Sequence, residues 1–163
     1  MKESQGVPQY AFITRLTFQY RLSTGHRTSR WGDPQGCLYF GEPNETRDHL
    51  IFGCPYTFTL WLKVAGNLFG VESDPDLDIT ILRLQTGTYV QLTFILLRMF
   101  LQVTIYFIWI ERNDMKHNNS AKAVEQLARM IDKTMRNRIK STKYYLKPKL
   151  KGILCRWFGA HVA

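Results

Sequence analysis

The sequence predicts a mainly α-helical fold, in which a small helical domain is followed by a helical hairpin or bundle. Three segments, at 8–22, 89–113 and 121–140, carry apolar residues at helical spacing. The chain has 163 residues, of which 45% are hydrophobic and 13% aromatic. A chain of this size and composition can bury a core, so a folded protein is expected rather than a disordered one.

The first helical elements fall in the N-terminal half. Residues 8–22 have the pattern of an amphipathic helix, and a turn with a short second helical stretch follows. Residues 37–45 are interrupted by Gly and Pro and are predicted as a tight loop. From Thr46 the pattern is helical again, and Pro55 fits the first turn of a helix that reaches about Phe69.

Residues 89–113 form the most apolar stretch, and their number nearly suits a membrane span. On a helix, however, Gln91, Arg98 and Gln102 fall within about 40° of one another and form a narrow polar stripe. A stripe of this kind favours the core helix of a bundle with Arg98 at its edge, because a central arginine is costly in lipid. A membrane-associated protein, with this span and a cytoplasmic basic tail, is the second alternative.

The positive charge is confined to the last third of the chain. Residues 112–163 hold 13 Lys/Arg and 3 Asp/Glu, whereas residues 1–111 hold 9 and 10, and the whole chain carries +9. Such an asymmetry is typical of a protein with a polyanionic partner. The alternative is a solvated helix face that only keeps the protein soluble.

Residues 121–140 have the clearest amphipathic pattern. Apolar residues such as Leu127 and Ile131 share one face, and five cations lie on the opposite face. Since cations bind phosphates and a tyrosine ring stacks on an unpaired base, RNA or single-stranded DNA is the predicted partner. The first alternative is a helical protein-interaction module that docks through 89–113 and 121–140. The predicted nucleic-acid-binding residues are Lys122, Arg129, Lys133, Arg136, Lys140, Lys143, Tyr144, Tyr145, Lys147, Lys149 and Lys151.

The segment 37–54 begins and ends on a cysteine and contains one histidine, His49. If Phe40 were cysteine, its spacing would be that of a zinc knuckle, with two ligands from a turn and two from the segment behind it. The alternative is that Cys37 and Cys54 are buried packing thiols. Three cysteines are an odd number, and no signal-peptide core is visible. Reduced thiols or metal ligands in a nuclear or cytoplasmic protein are therefore expected, not a secreted one.

A longer pattern surrounds these three residues. Its members are Arg21, Leu22, Thr24, Arg27, Trp31, Gly32, Cys37, Glu45, Thr46, His49, Leu50, Phe52, Cys54, Pro55 and Trp61. The pattern resembles the zinc-binding domain found C-terminal to reverse transcriptases of plant non-LTR (LINE-type) retrotransposon proteins. The stretch from Trp109 to Asn113 resembles the W-x-x-R-N helix that follows this domain.

The resemblance implies that Cys37, His49 and Cys54 are zinc ligands. Phe40 stands at the family's second cysteine, so zinc binding is expected to be weak or lost. His26, in the preceding turn, is a conceivable substitute ligand.

The implied organisation is a degenerate zinc-knuckle-like helical domain at 9–70, an acidic linker at 71–87, and a helical region with a basic tail at 88–163. The implied function is that of a non-catalytic remnant of a reverse transcriptase C-terminal region that holds RNA or DNA. The sequence has no Y/F-x-D-D pair, P-loop or H-E-x-x-H, so neither enzyme activity nor a small-molecule substrate is expected.

Overall fold

The described residues, 7–33, 35–70 and 73–161 of a computed structural model, form helices and turns without a strand in these ranges. This confirms the predicted mainly α-helical fold. The α-helices are α1 (Pro8–Phe18), α2 (Gly25–Thr28), α3 (Pro55–Ala65), α4 (Leu77–Thr86), α5 (Gln91–Asn118), α6 (Val124–Ser141) and α7 (Ile153–Gly159). A π-helical turn spans His49–Gly53, and two 3₁₀ turns span Tyr144–Leu146 and Pro148–Leu150.

Local sequence sets several helix ends. Pro8 and Pro55 occupy the first turn of α1 and α3, where a missing N–H costs no hydrogen bond. The Asp76 carboxylate caps α4 by accepting hydrogen bonds from two backbone N–H groups at 2.8 and 3.2 Å. Helix α5 ends at Asn119, which has the left-handed conformation that asparagine tolerates.

Helix α5 is the centre of the molecule and packs against α1, α6 and α7, while α3 packs against α6. The ring of Phe100 in α5 lies 4.6 Å from Trp61 of α3 and 6.0 Å from Trp157 of α7, measured between centroids. All three side chains are buried, so elements from both ends of the chain share one core.

The C-terminal helix α7 closes this core against the end of α3. Gly66, at φ +54°, lies so close to Ala160 that a Cβ atom would come within 2.2 Å of its carbonyl oxygen. The His161 imidazole bridges the same junction, with Nε2 2.6 Å from the Val64 carbonyl and Nδ1 2.9 Å from that of Trp157.

The structure differs from the sequence-based expectation for the acidic segment. The acidic segment 71–87 was expected as a linker, but Leu77–Thr86 form helix α4 with Leu77 fully buried. The acidic capping sequence was interpreted as a linker, although the helix that follows it contributes apolar residues to the common core. The proposed domain division itself stays a prediction.

Helix α5 is long and apolar enough to cross a membrane, yet 56% of its most apolar window is buried inside the protein. Arg98 is exposed on α5, as expected at the edge of a bundle.

Candidate metal site and basic surface

Cys37, His49 and Cys54 come together in the fold. One ligand atom from each lies within 4.8 Å of the others, and the two sulfur atoms are 3.8 Å apart. Both cysteines are buried. The chain thus brings together the three residues that the sequence predicted as metal ligands.

The π-helical turn explains the spacing of His49 and Cys54. A π-turn joins residues five apart, and the Cys54 N–H donates a 2.7 Å hydrogen bond to the His49 carbonyl. The four residues between histidine and cysteine are therefore the number that one π-turn requires. Cys54 is also the residue directly before α3, so its sulfur lies at the positive end of a helix dipole.

The electrostatics of the site favour a thiolate at Cys37. A hydrogen bond from the Cys54 thiol lowers the pKa of Cys37 to about 5, against the effect of burial, which raises it. Backbone N–H groups of Phe40 and Tyr39 and the His49 side chain lower it further. The pKa of Cys54 is raised, first by its hydrogen bond to Cys37 and then by burial. A thiolate at Cys37 is the form that a divalent cation would bind.

The imidazole of His49 gives an independent test of whether a metal fits. Its Nε2 atom is buried and has no hydrogen-bond partner. Buried polar atoms are nearly always satisfied, so an unpaired imidazole nitrogen in a cluster with two cysteines fits a bound cation. One nitrogen and two sulfur donors are ligands that zinc prefers.

No other described Cys, His, Asp or Glu joins the three ligands. The Phe40 side chain is 66% exposed and has no atom that could bind zinc. The suggestion that His26 substitutes for the fourth ligand is wrong, because its Nδ1 atom lies 3.0 Å from the Asn44 side chain, outside the cluster.

A buried ion pair links the segment 37–54 to α5. The Glu45 carboxylate receives two hydrogen bonds from the Arg112 guanidinium, at 2.6 and 3.1 Å, and a third from the Gly25 N–H at 2.8 Å. Arg112 also lies 5.1 Å from the centroid of the Trp109 ring. The W-x-x-R-N segment is thereby tied to the loop that carries the ligands. Sequence reasoning had noted both motifs but had not paired Glu45 with Arg112.

Gly25 permits this arrangement. A Cβ atom at this position would lie only 1.8 Å from the Gln35 carbonyl oxygen. The close approach lets the Gly25 N–H reach the buried carboxylate of Glu45, so the residue is a packing requirement of the loop.

The predicted nucleic-acid-binding residues fall into two groups. Lys122 was predicted on the basic helix face, but it precedes α6, and its ammonium group pairs with Glu111 at 2.7 Å. Hydrogen bonding to Glu111 raises the pKa of Lys122. Arg136 pairs with Asp132 at 3.1 Å, and Asp132 also accepts a 2.9 Å hydrogen bond from the indole of Trp157. Both cations therefore have a carboxylate of the protein nearby, although the Arg136–Asp132 pair is partly exposed.

The remaining cations form what we call the basic surface. In the described part of the chain none of them has an ion-pair partner within 4.0 Å, and all but the half-buried Lys147 are exposed. The basic surface consists of Arg129, Lys133, Lys140, Lys143, Lys147, Lys149 and Lys151.

Two tyrosines, Tyr144 and Tyr145, lie between Lys143 and Lys147 of the basic surface. Tyr145 is 71% exposed, whereas Tyr144 is half-buried and packs on the core. Their rings meet edge to face, with centroids 5.8 Å apart. Together with Lys147 and Lys151 they border a cleft of about 490 Å³. The prediction that both rings are available for stacking therefore applies best to Tyr145.

The fold and the site define a helical protein with a Cys₂His cluster, in which His49 begins a π-helical turn and Cys54 follows it. Residues 2–61 match the family model described as zinc-binding in reverse transcriptase. The match contains all three cluster residues and ends at Trp61 of the core. This part of the chain is similar to the zinc-binding region of reverse transcriptases, and its cluster is compatible with zinc binding. Neither a curated protein nor a solved structure matches the chain significantly.

Proposed function

We propose that the protein is a non-catalytic nucleic-acid-binding region of the kind that accompanies retrotransposon reverse transcriptases. It holds single-stranded RNA or DNA on the basic surface, in the nucleus or cytoplasm, while the segment 37–54 binds zinc weakly. The observation that carries the proposal is the set of mostly exposed cations without an ion pair within 4.0 Å among the described residues, together with the exposed ring of Tyr145.

The basic surface suits a flexible polyanion. Lys and Arg side chains that contact phosphates release the counterions condensed on the nucleic acid. This release gives affinity without sequence preference. An exposed tyrosine adds base stacking, which is available on a single strand and hidden in a duplex. A single strand is therefore the preferred ligand.

The role of zinc is structural in this proposal. Zinc bound to Cys37, His49 and Cys54 would cross-link the loop to the residue that begins α3. Structural zinc sites usually have four protein ligands, and three leave a position open to water, which lowers affinity. Phe40, at the position of the family's second cysteine, is the reason for this loss.

The test measures fluorescence anisotropy of a labelled single-stranded RNA across a salt series. Affinity should fall steeply between low and physiological salt, since each phosphate contact releases a counterion. The combined variant Arg129→Glu/Lys133→Glu/Lys140→Glu should abolish binding and retain the helical circular dichroism spectrum, because the three side chains are exposed.

The matched control is Arg15→Glu/Arg21→Glu/Arg30→Glu. It makes the same charge change at three exposed arginines outside the basic surface. If it weakens binding as strongly as the α6 variant, net charge and not the basic surface is responsible. Binding that ignores salt would instead favour the protein-interaction module, and the proposal would fail.

A further inference from the structure

Three arginines are buried among the described residues, and they differ in their partners. Arg47 pairs with Asp48 and Asp78, and Arg112 pairs with Glu45. Arg138, which is only 8% exposed, forms no ion pair with any described carboxylate. A buried charge without a counter-charge is costly, so this exception needs an explanation.

The contacts of Arg138 satisfy little of its guanidinium. One nitrogen lies 3.5 Å from the Met99 carbonyl, the limit of a hydrogen bond, and the group lies 5.2 Å from the Tyr10 ring centroid. An arginine has five N–H donors. Burial lowers the pKa of Arg138, whereas the pKa of Arg47, with its two carboxylates, is raised.

A cleft of about 280 Å³ lies at this arginine, between α5 and α6. Arg98 and Gln102 of α5 border it from the other side, and both belong to the polar stripe that the sequence had shown on this apolar helix. Arg98 also has no ion-pair partner among the described residues, and its one aromatic contact is with Phe94 at 5.7 Å. Two cations and an amide thus border one cleft without a carboxylate.

We propose that this cleft binds a small phosphate-type oxyanion between Arg98 and Arg138. The cleft is larger than a phosphate group, and its remaining walls are largely apolar, with Ile95, Met99 and Leu150. Guanidinium groups form paired, charge-assisted hydrogen bonds with phosphate oxygens, and the low polarity of the walls strengthens them. The anion supplies the counter-charge that the buried Arg138 lacks among the described carboxylates.

The site is separate from the basic surface. Arg138 shares the helix face of Ile131 and Met135, which are fully buried, whereas Arg129 and Lys133 are exposed on the opposite face. The inference therefore does not rest on the proposed function, and either can fail alone.

The experiment titrates inorganic phosphate and phenyl phosphate into the full chain and follows ³¹P resonances at constant ionic strength set with chloride. Both ligands should bind, and phosphate should raise the melting temperature relative to chloride, because a ligand of the folded state stabilises it. Arg98→Gln should weaken binding about tenfold or more through loss of a charged hydrogen bond. Arg30→Gln, an equal charge change at an exposed arginine outside both the cleft and the basic surface, should leave phosphate affinity unchanged.

Arg138→Met should abolish phosphate binding without lowering stability, since a methionine fills similar volume without a buried charge. If this variant does not fold, Arg98→Gln with its control decides the matter. A single-stranded oligonucleotide identifies the source of the phosphate. If the oligonucleotide displaces inorganic phosphate from the parent protein but not from Arg98→Gln, the cleft binds a nucleic-acid phosphate. If the oligonucleotide does not displace inorganic phosphate from the parent, the cleft binds a free oxyanion. Equal phosphate affinity in the parent and Arg98→Gln, or none at matched ionic strength, overturns the proposal.

Discussion

The segment 37–54 and helix α6 differ in where their polar side chains lie: the ligands and Glu45 of the segment face the protein interior, and the polar side chains of α6 mostly face the solvent. In the segment, two sulfurs and an imidazole converge on one another, and the Glu45 carboxylate is buried against Arg112. On α6, most cations point outward without partners. Inward groups depend on exact geometry, so one substitution there changes the whole site. Outward charges act through a shared field, so each contributes a small and nearly equal share.

Glu45→Ala should have the largest effect, because it leaves Arg112 charged and buried without its carboxylate. Loss of one partner of a buried ion pair costs about 3–5 kcal/mol of unfolding free energy. Urea denaturation followed by circular dichroism measures it. Lys63→Ala, which removes an exposed ion pair to α6, should barely move the midpoint. Similar shifts for the two variants would remove the distinction between inward and outward groups.

Gly25→Ala should destabilise the protein by roughly 1–3 kcal/mol, since the new methyl group meets the Gln35 backbone oxygen. The same denaturation experiment measures the change. Gly32→Ala is the matched control, because a Cβ atom there meets nothing within 4 Å. A neutral Gly25→Ala variant would show that the loop is adaptable and not closely packed.

Phe40→Cys should raise zinc affinity by at least about tenfold, or about 1.4 kcal/mol, because it supplies a fourth ligand on the turn after Cys37. Competition with a chromophoric chelator measures the affinity, and zinc should then raise the melting temperature. Phe40→Ala removes the ring without adding a thiol and should not change the affinity. Equal zinc content and melting temperature in the parent and Phe40→Cys would contradict the idea of a vacated ligand position.

Single neutralisations on α6 should have the smallest effects. Lys133→Gln should reduce the slope of log affinity against log salt by about 0.9, the value for one phosphate contact on a duplex, or about 0.7 on a single strand. Arg136→Gln should change the slope less, since Arg136 is already paired with Asp132. Equal slopes for the two variants would show that the ion pair opens when nucleic acid binds.

Much of the fold and the metal cluster could be predicted from the sequence. The long helices follow from apolar spacing, and Cys37, His49 and Cys54 follow from a pattern whose separations match one loop and one turn. Helix α4 was missed because the acidic residues at its N-terminal cap were interpreted as a linker, although Leu77 lies in the core. Helical periodicity alone cannot show that Leu77 finds apolar neighbours from distant segments.

The charged residues show where sequence reasoning fails. Lys122 was placed on the basic helix face because the helix was predicted to start too early, and Glu111, its partner, lies across a turn. Arg138 was omitted from the predicted sites, yet it lies seven residues after Ile131, on the apolar face. A cation at a core position of an amphipathic helix was the available signal. The identity of its partner is a tertiary contact that spacing does not encode.

The junction between α3 and α7 also sets the order in which the protein can mature on the ribosome. The ligand segment and α3 are synthesised long before His161, whose contact with Val64 spans 97 residues of the chain. Closing so long a loop is entropically costly, and α3 exposes its apolar face until α5 and α7 emerge. Trp61 therefore stays without its partners from α5 until those residues are synthesised, and early zinc binding would order the segment next to it.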